Sequence, residues 1–131
     1  MYHKIIIAGN LGRDPEMRVT PSGVAVCNLS VATNRQYTKD SGEKVKETLW
    51  FRVSVWGKMA EACGEYLSKG RQVLIEGMLQ GDDRGNPHTF QRKDGSWGAS
   101  YELRADQVRF IDGRSEASEE QNSGGNDSLP F

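Results

Sequence analysis

The chain has 131 residues and a mass of 14.6 kDa, which fits one small domain followed by a short tail. Hydrophobic residues make up only 36% of it, and its apolar runs are short, such as the one at positions 5–8. Because a membrane-spanning helix needs about 20 apolar residues in succession, the sequence excludes such a helix.

The charges are unevenly distributed along the chain. In total, 17 Lys and Arg face 18 Asp and Glu, for a net charge of −1. Residues 112–131 hold one of the basic and five of the acidic residues, so residues 1–111 carry a net charge of +3. This asymmetry predicts a mildly basic domain and an acidic tail with separate functions.

Targeting and cysteine patterns favour an intracellular protein. The first residues lack the apolar segment of a signal peptide. Cys27 and Cys63 lie far apart with no CxxC pair, so we expect reduced thiols and no zinc site. We therefore expect a cytoplasmic protein that needs no metal and no cofactor.

Alternation and turn residues predict five strands in the first 111 residues. They cover positions 2–11, 24–34, 48–56, 72–80 and 100–110. Positions 58–70, between the third and fourth strands, predict a short helix with Gly70 as its C-terminal stop. This order is typical of the OB-fold. The prediction is an all-β fold with one short helix, a five-stranded OB-fold barrel, followed by a disordered C-terminal tail.

The third predicted strand has two faces of different character. Alternate residues point to opposite sides of a strand, so Leu49, Phe51, Val53 and Val55 form one apolar face, which we assign to the core. The opposite face carries polar residues together with two tryptophans, and it consists of Thr48, Trp50, Arg52, Ser54 and Trp56. Tryptophans on a polar face are either covered by another subunit or available to a ligand.

Two long predicted loops also combine aromatic and basic residues: residues 34–46, and residues 81–98, which form a hairpin after the fourth strand. Loops of this length are usually binding or disordered segments. In the first, Tyr37 lies between Arg35 and Lys39; in the second, Phe90 precedes Arg92. Aromatic rings can stack on the exposed bases of a single strand, and Lys or Arg can contact its phosphates. Trp97 lies beside an ordinary turn, and its role stays open.

Several motifs resemble those of the bacterial-type single-stranded DNA-binding proteins, and the resemblance covers nearly the whole chain. The matching segments are 6–16 (IIAGNLGRDPE), 49–53 (LWFRV), 56–61 (WGKMAE), 65–70 (EYLSKG), 73–77 (VLIEG) and 127–131 (DSLPF). The resemblance implies an OB-fold that assembles as a homotetramer, around which single-stranded DNA wraps without sequence specificity. It also implies that the protein is associated with the nucleoid.

The resemblance also implies roles for individual residues. It assigns base stacking to four aromatic residues: Tyr37, Trp50, Trp56 and Phe90. Lys58 and Lys69 match basic positions near the DNA path, and Arg35, Lys39, Arg52 and Arg92 are further candidates for phosphate contacts. Three aromatic positions depart from the family pattern: Trp56 replaces a frequent phenylalanine, while Tyr37 and Phe90 are smaller than the usual tryptophans.

The C-terminal segment divides into a linker and a tip. Residues 112–126 are polar and acidic and cannot bury enough apolar surface to fold. The tip consists of Asp127, Ser128, Leu129, Pro130 and Phe131. In the family resembled, such a tip recruits proteins of DNA replication, recombination and repair, although this tip has fewer acidic residues than usual.

Two other classes of protein agree less well with the sequence. An enzyme is disfavoured because His3 and His88 lie in no catalytic motif, and Asp82 and Asp83 read as a turn. An OB module that binds protein or oligosaccharide explains the fold but not the basic domain with its acidic, apolar-tipped tail. We therefore expect no catalytic residues.

Overall fold

The computed structural model describes residues 1–111, so the predicted linker (112–126) and tip (127–131) lie outside the described residues. Seven strands and one helix follow one another along these 111 residues. In order they are β1 Ile5–Leu11, β2 Glu16–Val19, β3 Ala25–Thr38, β4 Lys44–Trp56, α1 Lys58–Tyr66, β5 Gln72–Leu79, β6 His88–Gln91 and β7 Trp97–Phe110.

Five of the strands close into a barrel. The pairing runs β1–β5–β7–β4–β3 and returns from β3 to β1 through Asn10↔Ala32 and Leu11↔Val31. The β4–β7 pairing is parallel, and the others in this ring are antiparallel. With α1 between the third and fourth barrel strands, this confirms the predicted five-stranded OB-fold.

The two predicted long loops are largely ordered hairpins. Strands β3 and β4 stay paired beyond the barrel as far as Thr38↔Lys44. In the second segment, β6 pairs with the start of β7, from His88↔Ser100 to Gln91↔Trp97. The second segment is the hairpin predicted for it, but the prediction of a loop over residues 34–46 was wrong, because cross-strand pairs such as Arg35 and Glu47 continue the β3–β4 ladder in polar sequence.

The core confirms only part of the predicted apolar face of β4. Val53 and Val55 are buried inside the barrel with Leu29, Ile75 and Leu103. Leu49, assigned to the core from the sequence, is instead 46% exposed. Alternation identifies the face on which a residue lies but not where the barrel ends, and Leu49 lies on the hairpin beyond that end.

Helix α1 is shorter than predicted. It ends at Tyr66, and Gly70, with φ 92°, lies in the turn that follows rather than at the helix end. Ala60 and Cys63 face the core. The lack of a side chain at Gly64 allows α1 to pack closely on β2, because a methyl group at this position would lie 2.6 Å from Cγ of Met17.

Asp82 takes part in a turn, as the sequence suggested. Its carboxylate accepts hydrogen bonds from the backbone N–H groups of Arg84 (2.9 Å) and Asn86 (2.8 Å). These bonds lower the pKa of Asp82 below its ordinary value, and the bond from Asn86 has the largest effect. Within residues 1–111 there is no cluster of His, Cys, Asp and Glu suited to a metal ion, nor a helix able to cross a membrane.

Candidate nucleic-acid interface

An open groove lies where the two hairpins leave the barrel. The parallel pairing of β4 with β7 begins at Phe51↔Tyr101, so the preceding residues of the two strands are not paired with each other. Between them is a groove of about 740 Å³, which we call the aromatic groove. The residues that line it include Gly12, Arg13, Trp50, Arg52, Phe90 and Tyr101.

Trp50 is the central aromatic residue of this groove. Its side chain is 51% exposed, although it belongs to a strand whose opposite face builds the core. The indole packs on the backbone of Gly12, where a methyl group would approach Cη2 within 2.6 Å. The ring is therefore supported on one side by the β1 end and open to the groove on another.

Arg52 lies in the same groove but shares its charge with a carboxylate. Its Nη1 is 3.8 Å from Oε2 of Glu102. Glu102 also accepts a hydrogen bond from the Ser100 hydroxyl (2.7 Å) and lies 3.7 Å from Nε2 of His88. A phosphate that contacts Arg52 must therefore compete with Glu102 for the guanidinium.

Phe90 brings the second hairpin into the groove. The guanidinium of Arg92 lies 5.4 Å from the centre of its ring, and Nη1 of Arg92 donates to the Trp97 carbonyl at 2.7 Å. The hairpin therefore holds one predicted stacking residue and one predicted phosphate contact together. Trp97 itself is exposed and is not among the residues that line the aromatic groove.

Trp56 lies on the same face of β4 as Trp50 but at the other end. Trp50 and Trp56 are six positions apart, which corresponds to about 20 Å along a strand. Trp56 is 36% exposed, and the guanidinium of Arg104 lies 4.9 Å from its ring centre. Its Nε1 donates to the Ser54 hydroxyl at 3.4 Å. The two tryptophans are thus separate exposed aromatic positions along one strand.

Tyr37 is not brought together with Trp50. In the β3–β4 register, Trp50 pairs with Ala32 and Tyr37 pairs with Val45. Along β4, Val45 and Trp50 are separated by an odd number of positions, so their side chains lie on opposite faces. Alternation then places Tyr37 on the opposite face of this hairpin. Arg35 covers its ring at 4.8 Å and pairs with Glu47 at 3.1 Å.

The three predicted lysines are exposed and lie outside the lining of the aromatic groove. Lys39 lies in the β3–β4 turn, 3.8 Å from the Glu43 carboxylate. Lys58 begins α1, two residues after Trp56. Lys69 follows α1, and its backbone N–H donates to Asp14 at 2.8 Å, next to the groove residue Arg13.

Sequence reasoning missed three residues of this surface: Arg13, Tyr101 and Arg104. Arg104 alternates with Ser100 and Glu102 along β7, so the polar face of that strand was a signal for it. Arg13 follows the glycine that supports Trp50, but only the fold brings that segment to β4. Tyr101 is half exposed against Phe51, at a ring separation of 5.7 Å, and nothing in its strand pattern indicated this.

Comparisons with known proteins agree on one family. A family model described as the single-strand binding protein family matches residues 2–111. Among curated relatives, the single-stranded DNA-binding proteins of Neisseria meningitidis serogroup A and serogroup B are each 40% identical over 123 residues. The match covers 94% of this chain and 64% of each relative, so the chain spans less than two thirds of their length.

A solved structure resembles this chain as well. It is a crystal structure of a deletion mutant of the single-stranded DNA binding protein from Thermus aquaticus. The TM-score is 0.65 at 30% sequence identity, and the match covers 85% of this chain and 51% of that one.

Proposed function

The chain belongs to the single-strand binding protein family, and from this we propose that it binds single-stranded DNA without sequence specificity. Bases stack on its exposed aromatic rings, and Lys and Arg side chains contact the phosphates. Membership in a family of binding proteins agrees with the prediction that the chain is not an enzyme.

One observation carries this proposal. A half-exposed tryptophan, Trp50, shares an open groove with Phe90 and Arg52. An unpaired base exposes a π-face to such rings at about 1–3 kcal/mol per stacked base, whatever its identity. A duplex keeps those faces inside its own stack, so the groove favours single strands.

The proposed contacts extend beyond the groove. We propose base stacking by Tyr37, Trp50, Trp56 and Phe90, and phosphate contacts by Arg35, Lys39, Arg52, Lys58, Lys69 and Arg92. Because Tyr37 lies on the other face of the β3–β4 hairpin, a strand that reaches both Tyr37 and Trp50 must pass around that hairpin. Each phosphate neutralised contributes about −0.7 to the slope of log affinity against log salt.

Assembly and partner recruitment belong to the same proposal. We propose a homotetramer, supported by the edge of β1 at Ile5–Gly9, which pairs with β5 but not with β3 within residues 1–111, and by the exposed Ile6. We propose further that the tip 127–131 recruits replication, recombination and repair proteins in the cytoplasm. Removal of residues 129–131 should then abolish partner capture and leave DNA affinity intact.

Tryptophan fluorescence tests the DNA-binding proposal. Poly(dT) should quench it strongly at low salt and less at high salt, while duplex DNA of equal length should not. Trp50→Ala should weaken binding by about 1–3 kcal/mol with the thermal unfolding midpoint nearly unchanged. Equal affinity for duplex, or a Trp50→Ala variant that binds poly(dT) like the wild type, would contradict the proposal.

A further inference from the structure

A second cavity, of about 460 Å³, lies on the other side of β7 from the aromatic groove. We call it the side cavity. It lies where β5 ends and the following turn folds over β7, and its walls include His3, Leu79, Gln80, Asn86, Pro87 and Tyr101. Pockets that hold small organic ligands range over about 300–1,000 Å³, so this one can admit a nucleotide.

The side cavity lies beside the aromatic groove. Ser100 and Tyr101 line both of them. Tyr101 is 54% exposed, and Phe51 supports its ring from the barrel side. A ligand that leaves the aromatic groove across β7 therefore meets a supported aromatic ring before it reaches the second cavity.

The walls of the side cavity suit a nucleobase. Leu79 and Pro87 offer apolar surface to the faces of a base, and the amides of Gln80 and Asn86 can donate to or accept from its edges. Among the described residues that line it, Glu102 is the one carboxylate, and Arg52, His88 and Ser100 already engage it.

The cavity is also held in shape by the fold. The backbone N–H of Leu79 donates to Nε2 of His3 at 2.9 Å, which fixes the N-terminal segment against β5. The N–H of Gln80 donates to the Glu102 carbonyl at 2.8 Å, and Asp82 organises the turn that carries Asn86. A preformed cavity costs little to organise when a ligand enters it.

We propose that Tyr101 and the side cavity form a second nucleotide subsite, in which a base of the bound strand stacks on Tyr101 and its edge enters the cavity. This inference rests on the proposed function, because it extends the path of the same single strand from Trp50 and Phe90 across β7. The shared wall at Ser100 and Tyr101 places the side cavity next to the aromatic groove, which favours a nucleobase over a peptide segment as the occupant.

Three variants of the full chain test this subsite. Tyr101→Leu removes the stacking ring and Tyr101→Phe keeps it. Tyr66→Leu is the matched control, because Tyr66 is 57% exposed and packs on Phe110 beside α1, away from both cavities. Binding is measured with oligo(dT) of about 4 and about 16 nucleotides, the range of site sizes for one OB-fold. Thermal unfolding verifies that each variant is folded.

Tyr101→Leu should weaken binding of the longer oligonucleotide by roughly 5- to 150-fold, which corresponds to 1–3 kcal/mol for one stacked base. It should leave the shorter one unaffected, since Trp50 and Phe90 suffice to stack its bases without a base entering the side cavity. Tyr101→Phe and Tyr66→Leu should bind like the wild type. In the wild type, an oligonucleotide containing 5-iodouracil should cross-link to Tyr101, as located by mass spectrometry.

The possible failures are distinguishable. If the wild type binds oligo(dT) but Tyr101→Leu binds as tightly and no cross-link maps to Tyr101, the subsite is overturned and the proposed function stands. An equal loss with both oligonucleotides shows that Tyr101 acts only as part of the aromatic groove and overturns a separate subsite. If Tyr101→Leu retains DNA binding but loses a peptide of residues 127–131, the cavity is a peptide site. If the wild type binds no single strand, the proposed function itself fails.

Discussion

The indole ring of Trp50 packs against the backbone of Gly12, 38 positions away in the sequence, so closely that a methyl group on Gly12 would lie 2.6 Å from Cη2. Gly12→Ala must therefore displace the ring from its support. We expect weaker binding of poly(dT), by part of the about 1–3 kcal/mol that a stacked base contributes, and a shifted Trp50 emission. Fluorescence titration against the wild type measures both effects.

Gly64→Ala is the matched control for that change. It crowds a side chain to a similar degree, because its methyl group would lie 2.6 Å from Cγ of Met17, but it does so between α1 and β2. It should leave DNA affinity unchanged. If Gly12→Ala binds poly(dT) as well as Gly64→Ala does, the ring of Trp50 does not depend on Gly12 for its function.

Arg104 should contribute to DNA binding at the far end of β4. Its guanidinium lies 4.9 Å from the centre of the Trp56 ring, where it can hold the ring and still offer N–H groups to a phosphate. We expect Arg104→Gln to weaken binding and to reduce the salt slope by about 0.7, the loss of one phosphate contact. Titrations at several salt concentrations measure the slope.

Arg109→Gln serves as the control for Arg104, since Arg109 is an exposed arginine on the same strand whose Nη2 donates to Gln107 at 2.7 Å. Its removal changes the net charge by the same amount without touching Trp56. Equal slopes for the two variants would show that Arg104 acts only through overall charge.

Glu102 should limit the affinity of the aromatic groove. Its Oε2 lies 3.8 Å from Nη1 of Arg52, so Glu102→Gln frees that guanidinium for phosphate while an amide oxygen still accepts from Ser100. An exposed ion pair contributes about 0–1 kcal/mol, so we expect up to roughly 5-fold tighter binding and a steeper salt slope. Binding isotherms at low salt measure the change.

Glu76→Gln is a comparable neutralisation away from the groove. Glu76 pairs with Lys4 at 3.5 Å, and its exposure, 28%, is close to the 22% of Glu102. It should alter affinity only through net charge. If Glu76→Gln strengthens DNA binding as much as Glu102→Gln does, Glu102 acts only through net charge and has no specific effect on Arg52.

Local pattern predicted the barrel well because alternation and element order are properties of short segments. Val53 and Val55 lie inside as expected, and Trp50 and Arg52 share the outer face. The same pattern failed for Leu49, since the end of the barrel depends on where β4 meets β7. Tyr37 and Trp50 lie on different faces because of the β3–β4 register. The sequence pattern did not predict this register, because it indicated a loop over residues 34–46.

The buried cysteines predict a loss of stability at alkaline pH. Burial raises the pKa of Cys27 to about 11 and that of Cys63 to about 12, from an ordinary value of 9.0. Well below pH 9, for example at pH 7, both thiols are protonated in the folded and unfolded chains, and they do not make stability depend on pH. As the pH rises from 9 towards 12, the unfolded chain loses these protons first, so the free energy of unfolding should fall.

Urea titrations of the wild type and of a Cys27→Ala, Cys63→Ala variant separate this effect from other alkaline titrations. The variant should be less stable at pH 7 but should lose less stability between pH 8 and pH 10, and parallel curves would contradict the assignment.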